Sequence, residues 1–362
     1  MDDLKYWIGF NRVSGIGPIR FQRLFSHFGG DLRGAWHAPA DELAALGLEQ
    51  RALNNLLQQR QQLDLDAEMA ALAAHGVTAV TLNDEAYPRL LRDIPSAPFV
   101  LYMRGEWLAQ DEWAVAIVGT RRVSNYGRRV TEMVAHELAD AGLTIVSGLA
   151  LGIDRIAHEA AMAAGGRTIA VLANGVETAF PVRNRRLGER IVDEKRGLLI
   201  SDYPLGTAPE AANFPPRNRI ISGLALATLV VEAGEKSGAL ITARNAVEQG
   251  RDVFAVPGNI SNASSKGTNR LIQQGAIPLL SAQDLLDALD IQMAEPKQAV
   301  RELVKTSATE SLVLGMLSGE PRHIDEVGRD CGLPTATVSS TLSLLELKGL
   351  VSQSGSMMYV RL

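Results

Sequence analysis

Three successive patterns of hydrophobic and polar positions predict three structural regions in this chain. The first, residues 1–64, carries aromatic and aliphatic side chains at helical spacing over residues 4–10 and 21–28. In the second, residues 65–290, short apolar runs alternate with helical stretches, which is typical of an α/β domain. The third, residues 307–362, follows the order helix, helix, helix and two strands.

The second region predicts a mainly parallel sheet whose strands all end at one ligand crevice. Six apolar runs each end in a turn of small residues that leads into a helix. The runs are residues 113–119, 144–148, 167–173, 197–201, 228–233 and 252–256, preceded by two further strand candidates at 77–82 and 99–102. Because the strands lack a polar face, helices are expected on both sides of the sheet. The turns then share one edge with helix N-termini, whose unpaired N–H groups favour phosphates.

The third region predicts a winged helix-turn-helix module. Helical patterns cover residues 309–317, 324–331 and 335–349, and a hairpin is expected around Ser354-Gly355. Residues 291–306, which are charged and contain a proline, are expected to be a linker. Acidic residues outnumber basic ones in the module, and its third helix offers hydroxyls but no base-reading Arg, Asn or Gln in its first turns. These features favour a protein-contact or regulatory role over the reading of duplex DNA.

Composition indicates a globular protein without disulfides. The 362 residues are 46% hydrophobic, and the single cysteine, Cys331, excludes an intramolecular disulfide and a thiolate metal cluster. An acidic N-terminus and the lack of an apolar run of about 18 residues predict a cytoplasmic protein without a membrane span. The formal net charge is −5, yet basic residues outnumber acidic ones between residues 117 and 219. A nucleic-acid contact is therefore expected around the crevice and not over the whole surface.

The turn after the first strand of the main series, Gly119-Thr120-Arg121-Arg122, combines flexibility, a hydroxyl and two guanidinium groups at a helix N-terminus. Arg121 could donate two hydrogen bonds to a phosphate there, or it could form a salt bridge across the sheet edge. The next glycine is Gly127, so the G-x-G-x-x-G spacing of dinucleotide-binding proteins is absent.

The turn after the second strand includes Ser147 and Gly148, and it leads into a helix with Asp154 and His158 four residues apart on one face. This pair could be an acid–base dyad, but no nucleophile accompanies it in the sequence. In the favoured interpretation, Asp154 orients the turn and holds His158. We therefore predict no catalytic residue, no metal site and no cofactor.

Residues 214–223 are the most unusual segment, because Phe214 is followed closely by Arg217, Asn218 and Arg219. An aromatic ring beside arginines and an amide is the combination that binds single-stranded nucleic acid. In the alternative interpretation, Arg219 is buried and pairs with a carboxylate such as Glu232.

A second polar wall of the crevice is predicted at Ser237-Gly238, where another helix begins. Lys236 precedes it, but the G-x-x-x-x-G-K-[ST] spacing of a P-loop is missing, so the sequence does not support ATP hydrolysis.

These motifs, in this order, resemble the DNA-processing protein A family, which is also called Smf. The matching stretches are residues 119–121, 147–154 with His158, 214–224, 237–243, 255–258, 267–269 and 275–276. The three-part layout matches as well, so the resemblance extends over essentially the whole chain. One difference is Phe180-Pro181, where family members often have Tyr-Pro.

The resemblance implies an α/β fold with an extended Rossmann-like, doubly wound, mainly parallel sheet. A helical N-terminal domain of the helix-hairpin-helix type and a C-terminal winged helix would flank it. It also implies a protein that binds single-stranded DNA, forms a homodimer and helps to load the RecA recombinase during natural transformation. The predicted DNA-binding residues are Gly119, Thr120, Arg121, Ser147, Gly148, Asn174, Gly175, Arg183, Phe214, Arg217, Asn218, Arg219, Ser237 and Gly238.

Two other functions stay open. One is a nucleotide-processing enzyme of related fold, although the Pro-Gly-Gly-x-Gly-Thr-x-x-Glu run of phosphoribohydrolases is absent. The other is a nucleotide sensor whose flanking domains transmit a signal to another protein. Residues 13–18 resemble a helix-hairpin-helix turn, which either contacts a DNA phosphate or only packs two helices.

Overall fold

The computed structural model describes residues 3–289, 308–318, 321–347, 350–355 and 357–361. The chain divides into two compact units, Met1–Ala294 and Glu295–Leu362. The predicted linker, residues 291–306, lies outside the described residues. No helix in the described part of the chain is long and apolar enough to cross a membrane.

Six helices form the N-terminal part of the first unit. They are α1 (Leu4–Arg12), α2 (Pro18–His27), α3 (Leu32–His37), α4 (Ala40–Ala45), α5 (Gln50–Gln62) and α6 (Leu65–Ala74). Their core is aromatic, because Trp7, Phe10 and Trp36 are all buried around Phe21. The Phe21 ring stacks on that of Phe99, with ring centroids 3.8 Å apart and planes 4° apart. The helices therefore share a core with the sheet, and the domain boundary at residue 64 stays a prediction.

A nine-stranded sheet forms the rest of the first unit. Its strands are β1 (Val77–Thr81), β2 (Val100–Gly105), β3 (Ala114–Val118), β4 (Thr144–Ser147), β5 (Thr168–Val171), β6 (Gly197–Ser201), β7 (Ala227–Val230), β8 (Asp252–Ala255) and β9 (Ile277–Pro278). The order is β1-β2-β6-β5-β4-β3-β7-β8-β9; β2 is antiparallel to β1 and β6, and all other pairs are parallel. The predicted doubly wound, mainly parallel sheet is confirmed, whereas β9 was not anticipated because it has only two residues.

Helices cover both faces of this sheet, as its apolar strands require. They are α7 (Arg89–Arg92), α8 (Asn125–Asp140), α9 (Ile153–Ala163), α10 (Arg185–Asp193), α11 (Phe214–Gly223), α12 (Ala239–Glu248), α13 (Lys266–Gln273) and α14 (Ala282–Ala288). Short 3-10 helices lie at Ala109–Glu112, Val182–Asn184, Ala211–Asn213 and Ala263–Ser265. Alternate residues of β3 face opposite sides: Ala116 packs with α11 and α12, and Ile117 packs with α8, α9 and α14.

The strand order reverses at β3, and this reversal positions the site. From β3 the chain proceeds through β4, β5 and β6 on one side, then returns to place β7 and β8 on the other side. Neighbouring connections consequently leave the sheet in opposite directions between β3 and β7. A crevice opens at the carboxyl ends of the strands at such a point.

The second unit has the predicted winged-helix order. It contains α15 (Ala308–Gly315), β10 (Arg322–His323), α16 (Ile324–Cys331), α17 (Thr335–Leu347), β11 (Val351–Gly355) and β12 (Met358–Arg361). The strands form an antiparallel sheet in the order β10-β12-β11. Val313, Val327, Val338 and Leu342 form its core with Tyr359. The short β10 was not anticipated, and the predicted end of the third helix, residues 348–349, lies outside the described residues.

Candidate functional site

A cleft of about 740 Å³ opens at the carboxyl ends of β3 and β7. The turn after β3 forms one wall, and the first turns of α11 and α12 form the others. The predicted site residues that line it are Gly119, Thr120, Arg121, Phe214, Arg217, Asn218, Ser237 and Gly238. The cleft lies at the reversal of strand order, where open α/β sheets bind their ligands. We call it the first cleft.

Backbone contacts build the turn after β3. Thr120 N donates to Glu232 O at 2.7 Å, and Thr120 O accepts from Ile153 N at 3.2 Å, so the turn is tied to both β7 and α9. Only glycine fits at two positions: a Cβ on Gly119 would lie 2.5 Å from Ile153 Cγ1, and one on Gly152, where φ is +83°, would collide with Thr120 O. Because neither glycine has a side chain, the backbone segments pack closely here, and the turn itself lines the cleft.

Arg121 and Phe214 form a cationic and aromatic platform at the cleft. Arg121 is exposed, and its Cζ lies 5.7 Å from the centroid of the half-buried Phe214 ring. The centroid of the Phe180 ring lies 6.1 Å from that of Phe214. Arg121 forms no salt bridge with any residue in the described part of the chain, so the alternative interpretation of a salt bridge across the sheet edge is not supported. A guanidinium over an aromatic ring is held in place by cation–π attraction and keeps its N–H groups free.

Arg217 forms part of the cleft floor, but its guanidinium is occupied. The residue is 4% exposed, and its Nη1 donates to Gly148 O at 3.1 Å and to Val171 O. Burial lowers the pKa of Arg217 to about 10, so the side chain remains charged at neutral pH. Arg217 therefore supports the turn after β4 and contributes positive charge from below the surface.

Asp154 orients the same turn, as the sequence predicted. Its Oδ2 accepts from Gly148 N at 3.1 Å and from Ala150 N at 3.3 Å. Burial raises the pKa of the Asp154 carboxyl, and the positive charge of Arg217 acts in the opposite direction. The Asp154 carboxylate therefore fixes the backbone of this turn, and it interacts electrostatically with the buried Arg217 guanidinium.

The prediction that Asp154 also holds His158 is wrong. His158 is buried, and its Nδ1 lies 2.6 Å from Thr168 Oγ1. The Thr168 hydroxyl donates to Ile145 O at 2.7 Å, so His158 Nδ1 must carry the proton and donate to Thr168. Burial lowers the pKa of His158 to about 3, which keeps the ring neutral. The two side chains therefore do not form an acid–base dyad.

Arg219 is a structural residue, and its partner differs from the one suggested by the sequence. Its Nη2 donates to Asp202 Oδ2 at 2.9 Å, and its Nε donates to Ser96 O at 2.9 Å. Glu232 was the wrong partner, because its Oε2 accepts instead from Ser124 N at 3.0 Å, at the start of α8. Both of these partners lie outside α11, and Nη1 donates to Pro216 O within the helix at 2.8 Å.

Other predicted residues lie outside the first cleft. The Ser147 hydroxyl is buried and donates to Ile117 O at 2.6 Å, and Gly148 is covered by Arg217 and Asp154. Asn174 Nδ2 donates to Gly175 O at 2.9 Å and to Thr178 O at 2.7 Å, which fixes the loop after β5. Arg183 is exposed before α10 and does not line the cleft.

Three residues of functional interest were not in the predicted set. Arg122 and Lys236 are exposed and line the first cleft. A basic residue in a predicted turn after a strand was the sequence feature that could have identified them. Asn184 is buried, and its Nδ2 donates to Leu149 O at 2.8 Å and to Ala150 O at 3.0 Å. No local pattern reveals this role, because the contacts span more than thirty positions. Within the described residues, no group of three His, Cys, Asp or Glu side chains is placed to hold a metal ion.

Comparison with known proteins identifies the family. The family model described as DNA recombination-mediator protein A matches residues 78–290, and that of the DprA winged helix domain matches residues 294–356. The chain belongs to the DNA recombination-mediator protein A family. Protein Smf of Synechocystis sp. is 37% identical to it over 98% of each chain.

Two solved members of this family share the fold. DNA processing protein A from Streptococcus pneumoniae is 34% identical, with a TM-score of 0.67 over 78% of this chain and 97% of that one. DNA processing protein A from Helicobacter pylori, a protein that binds single-stranded DNA, is 30% identical, with a TM-score of 0.54 over 60% of this chain and 97% of that one. The resemblance inferred from the motifs is thereby confirmed, and a DNA-processing role in recombination is supported.

Proposed function

We propose that this protein binds single-stranded DNA in the first cleft and acts there as a recombination mediator. The observation that carries the proposal is the exposed guanidinium of Arg121 held over the Phe214 ring at a glycine-built turn. A base can stack on the flat guanidinium, and the guanidinium N–H groups can bind the adjacent phosphate.

The charges around the cleft favour a polyanion. Arg121, Arg122 and Lys236 are exposed on its walls. Among the described residues that line it, the only carboxylate is that of Asp154, which is buried and engaged by backbone N–H groups. Phosphates therefore meet free cations without facing a free carboxylate.

The mediator role rests on the family. We propose that the protein protects incoming DNA and helps to load the RecA recombinase in natural transformation, as a homodimer in the cytoplasm. We also propose that it is not an enzyme: His158 is buried and neutral, Asp154 clamps backbone, and neither side chain is placed to activate a nucleophile in the cleft.

Binding and loading are tested separately. Fluorescence anisotropy with labelled single-stranded and duplex oligonucleotides should give tighter binding to the single strand, weakening as salt rises. Equal affinity for duplex would contradict the proposal. RecA filament assembly on DNA coated with single-strand-binding protein should accelerate when this protein is added, and light scattering should give the mass of a dimer. Tight binding and hydrolysis of mononucleotides would instead support the enzyme alternative.

A further inference from the structure

A second cleft adjoins the first one at the same edge of the sheet. It has a volume of about 410 Å³ and lies at the carboxyl ends of β7 and β8, beside the first turn of α8. The same two segments form both clefts: Arg122 and Gly234 line the first, and Ser124 and Glu232 line the second. The two clefts therefore lie side by side, and a strand bound in the first cleft can extend into the second.

The floor of the second cleft carries a buried carboxylate with an unused oxygen. Glu232 is 4% exposed, and its Oε2 accepts from Ser124 N at 3.0 Å. Its Oε1 has no hydrogen-bond partner within the described part of the chain. This oxygen is accessible from the cleft and can accept N–H groups from a ligand there.

The walls of the second cleft consist of an aromatic side chain and of backbone that hydrogen bonds hold in place. Tyr126 is 47% exposed, and its hydroxyl donates to Pro257 O at 3.0 Å, which holds the ring across the cleft. On the far side, Asn269 pins Gly258 through bonds of 3.1 Å to its N and 2.9 Å to its O. The cleft is thus built before any ligand arrives.

Its chemistry suits a base and not a phosphate. No Lys or Arg is among the described residues that line the second cleft, and the Glu232 carboxylate would repel an anion. A flat ring can stack on Tyr126 while its edge donates to Glu232. Guanine is the DNA base with two adjacent N–H donors on its Watson–Crick edge, and a carboxylate can accept both.

We propose that the second cleft binds one base of the strand held in the first cleft and that it selects guanine. This inference rests on the proposed function, because the first cleft must hold the sugar–phosphate chain. The predominantly sequence-independent binding of the first cleft then acquires a preference at one position of the strand.

The test uses short thymidine oligonucleotides in which each position in turn is replaced by guanine, inosine or adenine. At one position, guanine should tighten binding about tenfold relative to thymine, and inosine, which lacks the amino group, should give an intermediate value. Failure to bind the thymidine strand would overturn the proposed function. Binding without a preference for guanine at any position would overturn only the inference.

Single-residue variants test whether the guanine preference arises in the second cleft. Glu232→Gln keeps an acceptor for Ser124 N but presents an N–H to the ligand, so the guanine-to-thymine affinity ratio should fall to about one. The matched control is Glu235→Gln, at an exposed carboxylate that lines neither of these clefts, and it should keep the ratio. Tyr126→Ala provides a second test at a partly exposed position should Glu232→Gln fail to fold. A ratio that survives in either folded variant would contradict the assignment.

Discussion

Replacing Arg121 with alanine should separate DNA binding from stability. The side chain is exposed and contacts the Phe214 ring at 5.7 Å, and it forms no salt bridge within the described residues. A cation–π contact at an exposed site contributes about 0.5–1 kcal/mol, so the free energy of unfolding should fall by no more than that. Hydrogen bonds to a charged phosphate contribute about 1.5–3 kcal/mol, which corresponds to a roughly 10- to 150-fold rise in Kd.

Anisotropy titrations over a range of salt concentrations measure this change, and thermal unfolding monitors the fold. Loss of one phosphate contact should reduce the slope of log K against log salt by about 0.7, the value for single strands. Arg128→Ala is the matched control, because Arg128 is exposed on α8, pairs with Glu132 and lies outside the first cleft. Wild-type affinity in Arg121→Ala, or an equal loss in the control, would refute the assignment of Arg121 as a phosphate ligand.

Four other changes have expected outcomes. Arg219→Ala should lower the free energy of unfolding by about 2 kcal/mol, measured by urea unfolding, because the partly buried Asp202 loses its partner. Stability should decrease as pH falls from about 6.5 towards 4, because His158 has a pKa of about 3 when folded, so the unfolded chain takes up its proton first. If the difference in the free energy of unfolding between wild type and His158→Gln does not change with pH over that range, His158 does not make this contribution. Purified protein should show no ATP turnover, since Lys236 lies outside a P-loop; turnover that disappears in Lys236→Ala would disprove this. A chain ending at Asp290 should fold and retain its affinity for single-stranded DNA. If the truncated chain folds but does not bind single strands, the winged helix contributes to DNA binding.

Local sequence determined the strands and their turns. Runs such as residues 113–119 and 144–148 are too apolar to border water on either face, so they had to become central strands of a covered parallel sheet. Glycines after those strands marked the turns at its carboxyl edge, because only they allow the backbone to approach so closely. Strands β9 and β10 have only two residues each, which is too few to produce a recognisable apolar pattern.

The arginines mark the limit of what the sequence could predict. Arg121, Arg217 and Arg219 all lie at predicted turns or helix starts and carry the same group, yet only Arg121 is free for a ligand among these three. Arg217 donates to carbonyls at the carboxyl ends of β4 and β5, and Arg219 donates to Asp202, because the order of the parallel strands brings those segments beside α11.

The sequence by itself determined the main helices and strands, where the chemistry concentrates and to which family the chain belongs. Only the tertiary structure decided which charged groups remain unpaired. The physical reason is that strand formation depends on apolar periodicity within a few residues, whereas the partner of a guanidinium or carboxylate depends on atoms from chain far away in sequence. Glu232 is an example: as a residue after β7 it is simply polar, but α8 engages one of its oxygens and leaves the other facing a cleft.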